Sequence, residues 1–187
     1  PLGLEIAREH AVGDDAKLMR EVFLEAWRRA DIIISAGGLG PTFDDITRDI
    51  WSKVTKRALL PNLAMVREIE KKFASRRISM PPENIRQGYL LKEAQAISNN
   101  FGTAPGQFIK AGKKYLFILP GPGNELFPML EDFVLPKLKK AFPNLFSVEK
   151  SFHLIGIPES KINHEIEPLV NQYTKIDGCS ITHGILA

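Results

Sequence analysis

DIIISAGGLGPTFDDITRDI, residues 31–50, carries the pattern of a strand, a turn and the start of a helix. Residues 31–36 form a short apolar, β-branched run, as a buried parallel strand requires. Gly37, Gly38 and Gly40 come next, and glycine permits a positive φ and lets a ligand approach the backbone closely. Helical periodicity begins a few residues later. Because unpaired N–H groups and the positive end of the helix dipole meet at this turn, the stretch predicts an anion-binding site.

Two further loops rich in glycine and proline adjoin predicted strands. Residues 102–106 follow a short strand near 96–97, and residues 120–123 follow the apolar strand 115–119. In an open α/β sheet, the loops at the carboxyl ends of the strands line the ligand crevice. We therefore expect these two loops and the glycine turn, residues 37–42, to converge on one pocket.

Strands alternate with helical patterns along most of the chain, which predicts an α/β fold. We expect a mostly parallel sheet that is covered by helices on both faces. Leu4 and Ile6 are candidates for a first short strand, and Asp14 is placed to cap the helix that follows. Residues 107–110 and 115–119 flank a turn and predict a hairpin.

A change of pattern in the last quarter of the chain indicates a second, incomplete module. Apolar and polar residues alternate over 146–155, which predicts a half-buried strand. A helix is expected from Pro158, and residues 180–182 resemble another strand. We expect one domain over residues 1–145 and the start of a small α+β module over 146–187, because this second piece is too small to bury a core alone.

The composition excludes several classes of protein. No apolar run is long enough to span a membrane, and a net charge of +3 is too small to imply nucleic-acid binding. Cys179 is the single cysteine, which rules out an internal disulfide and fits a reducing compartment. A cytoplasmic protein is the expectation. Basic residues near the end of the third helical pattern predict a solvated helix face: Lys71, Lys72, Arg76 and Arg77.

The loops match no common phosphate-binding fingerprint. The glycines lack the spacing G-x-G-x-x-G, and no Lys-Ser or Lys-Thr pair follows them, as a Walker loop requires. The turn by itself is therefore compatible with a purely structural role. Thr103 in the second loop and Glu125 after the third are each either a turn residue or a contact to a ligand oxygen.

Asp44 and Asp45, close behind the turn, leave two explanations open. In the first, Thr42 and Asp45 form a T-x-x-D capping box, and both acids suit the first turn of a helix. In the second, a carboxylate binds a divalent cation that neutralises a phosphate lying on the glycine backbone. Asp14 belongs to a different β-α connection and could supply a second carboxylate to the same cation.

Residues 35–47, SAGGLGPTFDDIT, resemble the signature of the CinA-like branch (competence/damage-inducible protein CinA) of the molybdopterin-binding, molybdenum-cofactor-biosynthesis fold, to which the MoaB and MogA proteins also belong. Supporting segments match in order and spacing to about residue 145: VGDD at 12–15, MP at 80–81 with Asn84 and Gln87, NFGTAPG at 100–106, and LPGP at 119–122 with Glu125. Residues 156–160, GIPES, resemble the start of the KH-like module that follows in CinA proteins.

The resemblance implies a three-layer α/β/α fold that forms a homo-oligomer, either a dimer or a trimer. It also implies a metal-dependent pyrophosphatase acting on ADP-ribose or a related nucleoside diphosphate, with Mg²⁺ or Co²⁺ as cofactor and K⁺ as a further candidate. Asp45 and Asp14 match residues implicated in catalysis or metal handling, and Asp44 is a third candidate metal ligand. The residues implied to bind the ligand and its phosphates are Gly37, Gly38, Gly40, Thr42, Thr103, Gly121, Pro122 and Glu125.

Two departures from the family pattern bear on the pocket. The family begins with an additional strand, loop and helix, whereas this sequence opens after them. Gly123 stands where the family usually has a second proline. The absent loop normally contributes to the pocket in the family, and the glycine bears on the pocket's shape.

Two other functions compete with a hydrolase. The sister branch suggests a molybdopterin-binding or adenylyltransferase-like protein, with molybdopterin as its ligand. The third possibility is a non-catalytic interaction module that acts in competence or DNA repair. Neither a membrane nor a nucleic acid is an expected partner of any of the three.

Overall fold

A computed structural model of the chain describes residues 2–144, 148, 150–151 and 153–173. Contacts between Cα atoms divide the chain into two compact units, residues 1–147 and 148–187. The three small-residue loops all belong to the first unit.

The first unit alternates helices and short strands. Its first helix begins after Asp15, whose carboxylate accepts a hydrogen bond from the backbone N–H of Leu18 at 2.7 Å. The prediction that Asp14 caps this helix is therefore wrong by one residue. The elements are α1 (Ala16–Arg29), β1 (Ile32–Ala36), α2 (Thr47–Thr55), β2 (Leu59–Pro61), α3 (Leu63–Ser75), a 3₁₀ helix (Pro82–Gly88), β3 (Tyr89–Leu91), β4 (Gln95–Ile97), β5 (Gly106–Ala111), β6 (Lys114–Leu119), α4 (Gly123–Met129), a π-helical turn (Leu130–Val134) and α5 (Leu135–Ala141).

The main sheet is mixed. Its four strands lie in the order β1-β6-β5-β4, and only β1 and β6 are parallel among these pairs. The hairpin predicted from the sequence is confirmed, and it makes β5 and β6 antiparallel because a tight turn reverses the chain. The expectation of a mostly parallel sheet is therefore wrong. A separate antiparallel pair is formed by β2 and β3.

Alternate residues of β6 point into two cores, one on each face of the sheet. Leu116 and Ile118 pack in a cluster with side chains from α1 and α2. Phe117 and Leu119 pack in another cluster with side chains from residues 123–141. All four side chains are fully buried, as the period of a central strand requires. Helices cover both faces of the sheet, which confirms the α/β/α arrangement.

The amino-terminal segment forms no strand. Residues 2–15 have no regular secondary structure, and Ile6 is 84% exposed. Leu2 and Leu4 contact the second core, but the strand order gives them no partner. A strand is defined by hydrogen bonds to a neighbouring strand, and residues 2–15 have none, so the prediction at Leu4 and Ile6 is wrong.

The second unit contains the helix that was expected from Pro158. This helix, α6, spans Glu159–Tyr173. The strand predicted over 146–155 is absent from the residues of that segment that the structure describes, and the strand predicted at 180–182 lies outside the described residues. The KH-like character of this unit therefore stays a prediction. Over the described part of the chain, no helix is long and apolar enough to cross a membrane.

Candidate functional site

The three small-residue loops lie at the same edge of the main sheet. The parallel strands β1 and β6 end side by side, with Ala36 opposite Leu119. The antiparallel strand β5 begins at that edge, where Gly106 pairs with Ile97 at the end of β4. A cavity of about 270 Å³ lies between the loops. It is lined by Gly37, Gly38, Leu39, Gly40, Asp45, Gln87, Thr103, Ala104, Pro120, Gly121, Pro122 and Glu125.

Most of the residues predicted to bind or react line this cavity. The structure brings together Gly37, Gly38, Gly40, Asp45, Thr103, Gly121, Pro122 and Glu125. Thr42 lies outside the lining but contacts Asp45, whereas Asp14 and Asp44 are exposed and do not line the cavity. The roles of all these residues toward a ligand, a metal or a reaction stay predictions.

The turn after β1 requires glycine because backbone and side chains approach it closely. The φ angles of Gly37 and Gly38 are +100° and +65°, and the N–H of Gly37 donates to the carbonyl of Leu119 at 3.0 Å. A Cβ at Gly38 would lie 2.2 Å from Oγ1 of Thr47, and one at Gly121 would lie 3.3 Å from Cα of Gly37. The turns after β1 and β6 therefore approach each other through their backbones, Gly37 is needed for its positive φ, and a side chain is excluded at Gly38 and crowded at Gly121.

Asp45 is held inside the glycine turn by hydrogen bonds. Its Oδ2 accepts from the backbone N–H of Thr42 at 2.9 Å and from the Thr42 hydroxyl at 2.5 Å. Burial raises the pKa of Asp45, but hydrogen bonds from Thr42 and the Gly40 backbone, together with the charge of Arg48, outweigh burial and lower the pKa below its usual value. Asp45 is therefore an ionised carboxylate at the wall of the cavity.

The capping box predicted for Thr42 and Asp45 does not form. The helix α2 begins only at Thr47, its N-cap is Ile46, and no side chain caps it. A capping box needs two reciprocal bonds, from the acid's N–H to the threonine hydroxyl and from the threonine N–H to the acid. Here the N–H of Thr42 donates to Asp45, but the N–H of Asp45 donates to the backbone carbonyl of Thr42 at 3.2 Å instead of to its hydroxyl. The hydrogen bonds between Thr42 and Asp45 therefore close the turn that precedes α2, and they do not cap that helix.

Arg48 stabilises the glycine turn through hydrogen bonds to backbone carbonyls. It was not among the site residues predicted from the sequence. The side chain is 2% exposed, and its two terminal nitrogens donate to the carbonyls of Leu39 at 2.7 Å and Gly40 at 2.8 Å. Burial, helped by the charge of Arg86, lowers the pKa of Arg48 to about 10, so the group remains charged at neutral pH. A signal was present, because Arg48 precedes the buried Trp51 by one helical turn.

Asn99 fixes the second loop to the carboxylate of Glu125. The Asn99 side chain is 1% exposed and donates to the carbonyl of Ala104 at 2.8 Å and to Glu125 Oε2 at 2.6 Å. Its Oδ1 accepts from the N–H groups of Phe101 at 3.1 Å and Gly102 at 2.8 Å. A Cβ at Gly102 would lie 2.1 Å from Glu125 Oε2, which explains why the loop has glycine there.

Lys72 ties the same loop to α3. Its Nζ donates to the carbonyls of Asn99 and, at 3.1 Å, Gly102, and it pairs with Glu68 at 3.2 Å. The expectation of a uniformly solvated basic face is therefore wrong for this residue. Sequence periodicity could not reveal this, because the two carbonyls come from a loop that is distant in the chain.

The change Lys72→Met is expected to lower the free energy of unfolding by about 1–2 kcal/mol, because it removes the donor to two loop carbonyls. Urea denaturation measures this change, and hydrogen exchange at the amides of Phe101 and Gly102 should become faster. Lys71→Met is the matched control, since Lys71 is the exposed neighbour on the same helix. Equal losses in the two variants would contradict the tether.

Gln87 is a second cavity residue that was not predicted as a site residue. It is 3% exposed, lies at the end of the 3₁₀ helix, and accepts a hydrogen bond at Oε1 from Nδ2 of Asn84 at 2.9 Å. This bond fixes the orientation of the amide. The nitrogen Nε2 is then the atom that Gln87 can offer as a donor to a ligand in the cavity.

The predicted metal-binding set is not assembled. Among the described residues, no three His, Cys, Asp or Glu side chains are grouped in a way that could hold a metal ion. Asp14 and Asp44 lie outside the cavity, and its acidic lining residues are Asp45 and Glu125. Mg²⁺ is commonly held by one or two carboxylates together with phosphate oxygens of a substrate. This donor set therefore fits a divalent cation that binds jointly with a phosphorylated ligand.

Comparison with known proteins agrees with this architecture. The family model described as "Probable molybdopterin binding domain" matches residues 1–140. The crystal structure of the protein CinA of unknown function from Thermoplasma acidophilum is 30% identical, has a TM-score of 0.60, and is matched over 66% of this chain and 72% of that chain.

Two curated relatives extend the similarity. A putative competence-damage inducible protein of Clostridium tetani is 34% identical over 92% of this chain and 42% of its own length. A CinA-like protein of Koribacter versatilis is 34% identical over 94% of this chain and 44% of its own length. The chain thus spans less than half the length of either relative. From the family model, these relatives and the CinA structure, we conclude that the chain belongs to the molybdopterin-binding domain family, in its CinA-like branch.

Proposed function

We propose that the cavity binds the diphosphate of ADP-ribose or a related nucleoside diphosphate, and that the chain hydrolyses it with the help of a divalent cation. One observation carries the proposal. Two glycine turns at the carboxyl ends of parallel strands meet at a cavity that also contains the ionised carboxylate of Asp45. Backbone turns of this kind accommodate phosphate groups, and an acid among them is useful when a cation also binds.

The side chains around the cavity have distinct parts in this proposal. Backbone N–H groups of the glycine turn bind phosphate oxygens, and Nε2 of Gln87 and the hydroxyl of Thr103 donate further hydrogen bonds. Arg48 keeps the carbonyls of Leu39 and Gly40 paired, which holds the turn in one conformation before the ligand arrives. Preorganised donors of this kind stabilise charge without having to rearrange during the reaction.

Asp45 and Glu125 are the residues that would hold the cation. When bound, a divalent cation neutralises phosphate charge and makes water a better nucleophile. Asp45 would stay ionised because Thr42 donates to it, and Asn99 would keep Glu125 oriented. The water oxygen bonds to one phosphorus, and the bond from that phosphorus to the bridging oxygen breaks, so that the bridging oxygen and its electron pair leave with the other phosphate. The protons of water pass to the product phosphates and solvent, and ADP-ribose and water give AMP and ribose 5-phosphate.

The proposal is tested by incubating the chain with ADP-ribose and Mg²⁺ or Co²⁺ and measuring AMP by chromatography. AMP release is expected, and Asp45→Asn should reduce its rate by about a hundredfold or more, because a neutral amide holds the cation poorly and the cation's contribution amounts to several kcal/mol. The matched control is Asp44→Asn, because this neighbouring acid is exposed and outside the cavity. The proposal fails if no AMP appears, or if the two variants are equally active.

A second candidate function is the binding of molybdopterin, which the description of the matching family favours. The same glycine turn would then hold the phosphate of that ligand. Titration with molybdopterin, followed by competition with ADP-ribose, separates the two candidates. Tight molybdopterin binding that ADP-ribose cannot displace would favour this alternative, and the absence of any affinity for molybdopterin would remove it.

A further inference from the structure

A second groove adjoins the glycine turn. It has a volume of about 540 Å³ and lies beside the cavity described above. Its lining consists of Pro41, Thr42, Phe43, Pro81, Glu83, Asn84 and Arg86. The proposed hydrolysis uses none of these residues except Thr42, so the groove is a separate space from the proposed diphosphate site.

Two hydrogen-bonded pairs join the groove to the cavity. Thr42 lines the groove and donates to Asp45, which lines the cavity. Asn84 lines the groove and donates to Gln87, which lines the cavity. At each of these two hydrogen bonds, a single pair of side chains therefore separates the groove from the cavity. In a nucleoside diphosphate the ribose separates the phosphates from the base, so a ligand with its phosphates in the cavity would have its ribose at these side chains and its base on the side of the groove.

Phe43 at the groove is 91% exposed. A phenylalanine in this position leaves nearly all of its apolar surface in water, so it contributes almost nothing to the core. The proline rings of Pro41 and Pro81 add apolar surface around it. A single exposed aromatic residue is ordinary. Phe43, however, lines a concave, largely apolar groove next to the glycine turn, and there its exposed ring face is available to a ligand.

Arg86 presents a second planar group to the groove. Its guanidinium donates to the carbonyl of Thr42 at 3.1 Å and to the carboxylate of Asp49 at 3.4 Å. These contacts restrict the plane of the guanidinium. Proteins hold nucleic-acid bases between aromatic rings and arginine planes of this kind, and the interaction tolerates different bases because every base has a π face.

We propose that this groove holds the base of the nucleotide whose diphosphate lies in the cavity, and that Phe43 stacks on it. The proposal rests on the proposed function, since the position of the base is defined by the position of the diphosphate. It adds a specificity: diphosphates that carry a base should bind more tightly than diphosphates without one, and Phe43 should account for the difference.

Isothermal titration with ADP and with inorganic pyrophosphate, both in the presence of Mg²⁺, tests the groove. Phe43→Ala is expected to weaken ADP binding about tenfold, the size of one lost stacking contact, and to leave pyrophosphate binding unchanged. Phe43→Tyr should restore ADP binding because the ring is kept. Phe127→Ala is the matched control, since Phe127 is 62% exposed and lines neither space.

The outcomes separate this proposal from the proposed function. If Asp45→Asn weakens pyrophosphate binding while Phe43→Ala leaves ADP binding unchanged, the base groove alone is overturned. If Phe43→Ala weakens ADP binding while pyrophosphate binding is insensitive to Asp45→Asn, stacking of a base on Phe43 stands, but the placement of its diphosphate in the cavity, and with it the proposed function, is overturned. If the wild-type protein binds neither probe, both proposals are overturned.

Discussion

Gly38→Ala is expected to lower the free energy of unfolding by about 3 kcal/mol, which combines the cost of a positive φ with the cost of overpacking. The added Cβ would lie 2.2 Å from Oγ1 and 3.1 Å from Cβ of Thr47. Thr47 cannot move aside easily, because it is 2% exposed and is the first residue of α2. Urea denaturation measures the loss, and ligand binding by the displaced turn should fall with it.

Gly112→Ala separates the two contributions. Gly112 lies in the turn between β5 and β6 with a φ of +61°, close to that of Gly38, but a Cβ there would meet nothing within 4 Å. This variant should lose only about 1 kcal/mol, the cost of the backbone conformation. In a Thr47→Ala background, Gly38→Ala should cost less than in the wild type. Equal losses for Gly38→Ala and Gly112→Ala would show that the contact with Thr47 does not matter.

Arg48→Lys is expected to lower the free energy of unfolding by about 3 kcal/mol, although the charge is kept. The guanidinium reaches two carbonyls at once, those of Leu39 and Gly40, through two different nitrogens. A lysine has one nitrogen at the end of its chain and would leave a buried carbonyl without a donor. Denaturation with urea gives the loss, and the ligand affinity of the glycine turn should decrease as well.

Arg67→Lys is the control for this change. Arg67 is an exposed residue in the middle of α3, where the same substitution should change the free energy of unfolding by less than about 0.5 kcal/mol. A small loss in Arg48→Lys, comparable to that in Arg67→Lys, would mean that the paired carbonyls contribute little to the stability of the turn.

The position of the site could be predicted from the sequence because its main determinants are local. The β-branched run at residues 31–36 and the glycines after it specify a strand followed by a turn with positive φ. The apolar run at 115–119 and the glycine and proline residues after it likewise predict a strand followed by a turn. Because the two strands are adjacent and parallel, their turns meet, and Ala36 lies opposite Leu119.

Whether the remaining strands run parallel or antiparallel to their neighbours is harder to predict from the sequence. A hairpin between β5 and β6 was expected, and it forces an antiparallel pair next to the parallel one. The strands β2 and β3 are only three residues long, and their antiparallel pairing joins Leu59 to Leu91, which are far apart in the chain. Segments this short lack a period that can be recognised, so their pairing depends on tertiary contacts.

The supporting contacts were missed for a related reason. Arg48, Lys72 and Asn99 all bind backbone carbonyls, and carbonyls are present at every position of any sequence. A pattern can show that a charged residue lies near an apolar helix face, but it cannot show which distant carbonyl the residue reaches. The placement of Asp14 and Asp44 outside the cavity could not be predicted either, because it depends on where α1 and α2 begin.

The pairing of β1 with β6 has a consequence for folding. The two strands join residues about eighty positions apart in the chain, Ile32 with Tyr115 and Ala36 with Leu119. Contacts of such high sequence separation require a large loop to close first, so they are slow to form. The cavity cannot exist before this pairing, because its two glycine turns follow the two strands. A ligand that binds the cavity therefore binds only the folded sheet, and by mass action it stabilises the whole first unit against unfolding.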